Sequence, residues 1–168
     1  MTSCVVMCTY NGGKYLEAQL QSILSQIEMP DEIVVIDDFS TDETVQILNQ
    51  FKSQYGELIR LKINSNRLGP IANFSKACAA AKSDIIFLCD QDDIWLPEKI
   101  KTIKRLFYSN PNFDGVFTDA YLIDENASSL NITMLESLGI IGKNKIVFEP
   151  DEMFLYILKT GNIATGAT

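Results

Sequence analysis

The sequence predicts an α/β protein with a mostly parallel central sheet and helices on both faces. Short, largely apolar runs at residues 3–9, 32–36 and 85–89 alternate with longer segments whose apolar residues recur at helical spacing. Runs without polar alternation belong to strands covered on both sides, as parallel strands are. Each run also ends in polar residues: Thr9-Tyr10-Asn11, Asp37-Asp38 and Asp90-Gln91-Asp92-Asp93. Open parallel sheets place their ligands beyond the carboxyl ends of the strands.

Residues 3–9 (SCVVMCT) read as the first buried strand, and YNGG at 10–13 carries strong turn chemistry. A helix over 14–27 follows, with Leu16, Leu20, Ile23, Leu24 and Ile27 along one face. Pro30 closes that connection, and EIVVI at 32–36 is the second buried strand. Ser40 and Glu43 fit a capping box opening a helix that runs to about Tyr55. IRLKI at 59–63 alternates like a half-exposed strand, 64–70 is a loop, and 71–82 is a short Ala-rich helix. IIFLC at 85–89 is the third apolar strand. Pro97 suits the first turn of a helix reaching Ser109, whose lysines mark a solvated face. Residues 113–122 contain another strand, 125–145 read as irregular, and 151–159 as a final helix leading into GNIATGAT. No internal repeat or linker interrupts the chain, so residues 1–168 are expected to form one domain, truncated at its C-terminal end.

With 168 residues, 46% hydrophobic and 21% charged, the chain can bury a core of its own. A net charge of −8 argues against a nucleic-acid partner, which needs a basic face. The same charge raises the question of how an anionic substrate would bind, and a divalent cation held by carboxylates answers it. There is no histidine, so no Ser-His-Asp or Cys-His catalysis and no histidine-ligated zinc arises within the chain. Cys4, Cys8, Cys78 and Cys89 form no C-x-x-C pair and read as buried free thiols. No apolar run approaches the ~18–20 residues of a membrane span.

The richest cluster is CDQDDIW at 89–95. Two carboxylates held ~4 Å apart repel by up to ~4 kcal/mol at an effective dielectric of ~20. Mg²⁺ or Mn²⁺ relieves such repulsion, taking one or two carboxylates and filling its other positions with phosphate oxygens and water. Helix capping alone would need one aspartate, not three. Asp37-Asp38 fits either a turn before the next helix or, through Asp38, an acceptor for a nucleobase edge. Tyr10 could stack on a base or simply pack. Arg67, in NRLG, could pair with a phosphate or be solvated. Gly12-Gly13 hints at a phosphate loop but lacks the G-x-G-x-x-G spacing and the GK[ST] ending. Trp95 reads as a core anchor more than as a wall of the site.

VVMCTYNGGKYL, VVIDDFSTDET, NRLGPIANF and LCDQDDIWLPEK, in that order and spacing, resemble the family 2 glycosyltransferases of the GT-A (Rossmann-like) fold. The similarity is greatest to bacterial rhamnosyltransferase-like members and covers essentially the whole chain. It implies inverting transfer of a sugar from a UDP- or dTDP-sugar to an acceptor hydroxyl, with Mg²⁺ or Mn²⁺ as cofactor. By the same resemblance Thr9 and Tyr10 lie along the nucleoside and Asp38 binds the base. Arg67 and Asn73 lie near the ribose and diphosphate, and Gln91 joins the donor-binding set. Asp90 faces the ribose or a metal-bound water, Asp92 sits on the metal and assists the leaving group, and Asp119 lies near the donor sugar. Cys8 departs from the proline or threonine many members carry, at a position where the contact is through backbone.

The family's general base is usually a later aspartate, expected beyond Thr168, so this fragment is expected to bind donor and metal but transfer sugar poorly. The implied partners are a nucleotide-sugar donor and a saccharide or lipid-linked saccharide acceptor, in bacterial surface polysaccharide synthesis. The implied location is the cytoplasm or the inner face of the plasma membrane, with peripheral membrane association open to the full-length protein. Two rivals share these features: a metal-dependent sugar nucleotidyltransferase, which would release pyrophosphate, and a non-catalytic nucleotide-sugar-binding module. A dinucleotide-dependent oxidoreductase would need the glycine fingerprint after the first strand, and a receiver module would need its acidic cluster there.

Overall fold

A computed structural model describes residues 1–139, so the helix expected at 151–159 and the GNIATGAT segment lie outside the described residues. The chain divides into two compact units, Met1–Asp114 and a second that begins at Gly115.

In the first unit β1 (Ser3–Thr9), α1 (Gly13–Leu24), β2 (Glu32–Asp37) and α2 (Thr44–Tyr55) follow one another. After a 3₁₀ turn come β3 (Ile59–Ile63), α3 (Pro70–Ala80), β4 (Ile85–Cys89) and α4 (Lys99–Ser109). The four strands pair in parallel in the order β3-β2-β1-β4, so their carboxyl ends share one edge. The predicted parallel α/β architecture is the one the molecule adopts.

Residues Cys4 to Met7 and Ile33 to Ile36 are at most 2% exposed, so both faces of β1 and β2 are covered. One face packs Cys4, Val6, Val34 and Ile36 against Ala77 and Phe74 of α3. Leu16, Leu20 and Ile23 of α1 are buried as their spacing predicts, and Leu48 of α2 is buried too, each contributing roughly 1.5–3 kcal/mol by burial. β4 differs from expectation. Ile85, Phe87 and Cys89 are buried, but Ile86 and Leu88 are 41% and 48% exposed.

Helix starts differ from the sequence reading where polar side chains find other partners. Ser40 does not cap α2; its backbone N–H and hydroxyl both donate to Asp37, and the helix begins at Thr44. The α1 helix stops at Leu24, short of Ile27, and α4 starts at Lys99, two residues after Pro97. Pro70 opens α3 at its first turn, after Gly69 at φ 84°.

The second unit contains β5 (Tyr121–Ile123) paired antiparallel with β6 (Ser129–Thr133), followed by the single-turn α5 (Met134–Ser137). A capping box absent at Ser40 occurs here, between Thr133 and Glu136. The strand expected in 113–122 is reduced to its last residues, and 129–137, read as irregular, is ordered. Among the described residues, no helix is long and apolar enough to cross a membrane.

Candidate active site

Strand register brings three chain segments to one place. Thr9 of β1 lies beside Asp37 of β2, and Met7 lies beside Cys89 of β4. The Cys8 thiol, on the middle strand, is pushed up to about 12, by burial first and then by the charges of neighbours that include Asp38 and Asp90. The segments after β2 and β4 therefore deliver their carboxylates close to the end of β1.

Asp37 is a turn residue. It accepts from Thr9 Oγ1 at 2.8 Å and from the Ser40 backbone at 2.9 Å, which fixes the reversal through Phe39 at φ 70°. Asp38 is only 4% exposed and anchors a different loop. Its Oδ1 accepts from Leu68 N at 2.7 Å and Asn64 Nδ2 at 3.0 Å, and its Oδ2 from Gly69 N at 2.8 Å. Burial pulls this carboxyl upward, but those donors and the Arg67 charge outweigh it and hold it below the ordinary carboxylate range. A carboxylate offers about four acceptor positions, so one remains, on Oδ2.

The loop held by Asp38 carries Arg67, whose guanidinium lies 3.8 Å from the centroid of the Tyr10 ring. That distance is a cation–π stack. From the other side, Gln91 grips the Tyr10 backbone: Tyr10 N donates to Gln91 Oε1 at 2.8 Å, and Gln91 Nε2 donates to Tyr10 O at 3.2 Å.

Asp90, Asp92 and Asp93 form the acidic end of β4. Asp92 is exposed, while Asp90 and Asp93 are half-buried. Burial, then the charges of Asp90 and Asp92, push the Asp93 carboxyl up to about 6. The buried Oδ2 of Asp93 has no hydrogen-bond partner. Lys99 lies near, 4.7 Å over the ring of Trp95, and burial lowers its ammonium from the usual lysine value. Trp95 itself is 4% exposed and packs on Phe87, the core anchor it was read to be.

Among the described residues no three His, Cys, Asp or Glu side chains enclose a metal ion. Mg²⁺ and Mn²⁺ do not require such a cage, since one or two carboxylates suffice when phosphates and water complete the shell. Mutually repelling carboxylates with an exposed member fit that requirement, and Asp90 and Asp92 are the residues that would hold the ion.

The glycine turn is not a phosphate loop here. Asn11 N donates to Ser40 Oγ, Gly12 N to Thr44 Oγ1 and Gly13 N to Asp42 Oδ2, so the N–H groups entering α1 are already engaged.

Tyr10, Asp38, Arg67, Gln91, Asp90 and Asp92 thus gather at the carboxyl edge. Two of the residues named with them point inward. The Thr9 hydroxyl is buried on Asp37. Asn73, read beside the ribose and diphosphate, is 1% exposed. Its Oδ1 accepts from Asn64 Nδ2 and its Nδ2 donates to Ile36 O, so its side chain belongs to the framework. Asp119 lies in the second unit, where it accepts from Ala120 N and Leu135 N at 2.9 and 3.0 Å. Sequence reading missed Asn64 and Lys76, which complete the Asp38–Asn73 network. A polar residue directly after an alternating strand was the available signal for Asn64.

The sequence profile described as Glycosyl transferase family 2 matches residues 4–164. The dTDP-rhamnosyl transferase RfbG of Shigella flexneri is 38% identical over 111 residues, covering 63% of this chain and 38% of its own. The structure of S. aureus TarS 1-349 in complex with UDP-GlcNAc is 26% identical at a TM-score of 0.60, covering 70% of this chain and 37% of that one. The structure of GalNAc-T7 with UDP, GalNAc and Mn²⁺ is 28% identical at a TM-score of 0.50, covering 54% and 18%. The chain spans less than half the length of the curated relatives it matches, 47% and 38% for two of them.

Proposed function

This chain belongs to glycosyl transferase family 2, and on that premise we propose that it binds a UDP- or dTDP-sugar at the β2–β1–β4 edge for inverting transfer to an acceptor hydroxyl. One observation carries the reading. Three adjacent strands bring an aromatic ring, a buried carboxylate and an acidic cluster to a single edge.

Tyr10 offers a nucleobase a stacking face, which any base can use. Base choice then falls to Asp38, whose remaining acceptor position suits the ring N–H that uracil and thymine share. Arg67, already over Tyr10, supplies a cation and planar donors to the ribose–diphosphate side. Asp90 and Asp92 would hold Mg²⁺ or Mn²⁺, which when bound supplies positive charge to the departing diphosphate. Support comes from the chemistry of these carboxylates and from the related structure solved with UDP and Mn²⁺. Asp119 is assigned to the donor sugar on the resemblance alone.

The acceptor is a saccharide or lipid-linked saccharide, and the role bacterial surface polysaccharide synthesis at the cytoplasmic side of the membrane. The relationship to the Shigella dTDP-rhamnosyl transferase supports a dTDP-sugar as donor. Ligand-detected NMR with UDP, dTDP and ADP in the presence of Mn²⁺ tests the base assignment. Binding of UDP or dTDP in preference to ADP is expected; equal binding of all three would remove the role given to Asp38.

A further inference from the structure

Gln91, the middle residue of Asp90-Gln91-Asp92, turns back from the acidic edge and docks on the first turn of the chain. Its amide accepts from Tyr10 N at 2.8 Å and donates to Tyr10 O at 3.2 Å. Such paired bonds fix both the position and the plane of the amide. The same docking explains Gly12. Its backbone, at φ −104° and ψ 11°, is open to any residue, so conformational freedom is not why a glycine stands there. Space is. A Cβ on Gly12 would run into Oε1 and Cδ of Gln91 and lie 2.8 Å from its Nε2. Gly12 is the gap that lets Gln91 reach Tyr10.

Tyr10 presents the platform covered by Arg67, and Asp90 and Asp92 flank Gln91 in sequence. A side chain locked between two parts of a site makes each sensitive to the placement of the other. Coupling of that kind is reciprocal by thermodynamic necessity.

We infer that Gln91 is a positioning residue that couples nucleoside binding at Tyr10 to metal binding at Asp90 and Asp92, with Gly12 as the space it requires. The inference rests on the proposed donor-and-metal reading of this edge. Gln91 touches the Tyr10 backbone, not the reacting atoms, and acts through the two groups it holds in register.

Isothermal titration of the full chain with UDP and with dTDP, each with and without Mn²⁺, tests it on the unchanged protein, Gln91→Ala, Gly12→Ala and the double variant. The unchanged protein is expected to bind its preferred diphosphate more tightly with Mn²⁺, and Gln91→Ala to lose about tenfold of that enhancement, within the usual range of such couplings. Gly12→Ala should lose a similar part by displacing the Gln91 amide. The double variant should be no worse than Gln91→Ala alone, because the clash is gone. Thermal melting run beside the titrations separates a stability loss from a coupling loss. Variants that bind more weakly but keep the full Mn²⁺ enhancement would overturn the inference and leave the donor reading standing. Additive losses in the double variant would also overturn it. If the unchanged protein showed no Mn²⁺ effect on either diphosphate, the donor-and-metal reading would fail, and the inference with it.

Discussion

Arg67 lies with its guanidinium carbon 3.8 Å from the centroid of the Tyr10 ring, although 57 residues separate them in sequence (67 − 10). Neither residue arranges this alone. Asp38 holds the arginine's loop through Leu68 and Gly69, and Gln91 holds the tyrosine's backbone.

Removing the ring should therefore weaken nucleotide binding while leaving the fold intact. Tyr10→Ala is expected to cost about 1–3 kcal/mol in UDP or dTDP affinity, the usual worth of base–aromatic stacking. Tyr10→Phe should be near neutral, because the contact uses the ring face. Arg67→Ala should weaken binding by a salt-sensitive amount, since its charge is exposed. Calorimetry at two salt concentrations separates the two effects.

Asp38→Ala should destabilise the first unit by roughly 1–3 kcal/mol, because it leaves Leu68 N and Gly69 N without their acceptor and Asn64 Nδ2 with only that of Asn73. The pH dependence follows from its depressed carboxyl. A folded value below the unfolded one adds stability above the unfolded value, and that stability is lost as pH falls through the folded value. The difference between wild type and Asp38→Ala should thus shrink in acid. Denaturant melts at neutral pH and near pH 3 check both size and sign.

Asp93 should behave in the opposite sense. Its carboxyl is raised to about 6, so the folded protein pays increasingly for its ionisation as pH rises from about 4 to above 6. Asp93→Asn is expected to raise the melting temperature at pH 7.5, by a free energy on the order of 1–3 kcal/mol. Near pH 4 it should change little. A stabilising effect equal at both pH values would show that packing, not charge, is responsible.

The parallel sheet and its ligand edge were legible because IVVI at 33–36 and IIFLC at 85–89 are apolar throughout and are followed directly by carboxylates. What sequence could not resolve was which of several polar partners wins. Ser40 sits three residues before Glu43 as a capping box requires, yet Asp37 lies equally near and takes its hydroxyl. Asn73 carries the same side chain whether it faces a ribose or the core. Only its position on the buried side of α3 decides the matter, facing Ile36 O and Asn64. Asp38 was read as a turn residue or a base acceptor, and its third role, pinning a loop some 30 residues on, depends on strand order. Ile86 and Leu88 read as buried for a similar reason, since apolarity does not report which face a neighbour covers.

On the proposed reading Asp92, with Asp90, holds a divalent ion that a nucleoside diphosphate shares. Calorimetry of UDP and dTDP, each with and without Mn²⁺, on the unchanged protein and on Asp92→Ala tests it most directly. Metal-dependent binding in the former and loss of most of the Mn²⁺ enhancement in the latter are expected, because one of the one or two carboxylates that would ligate the ion is removed. Equal affinity with and without Mn²⁺, unaffected by the substitution, would contradict the account.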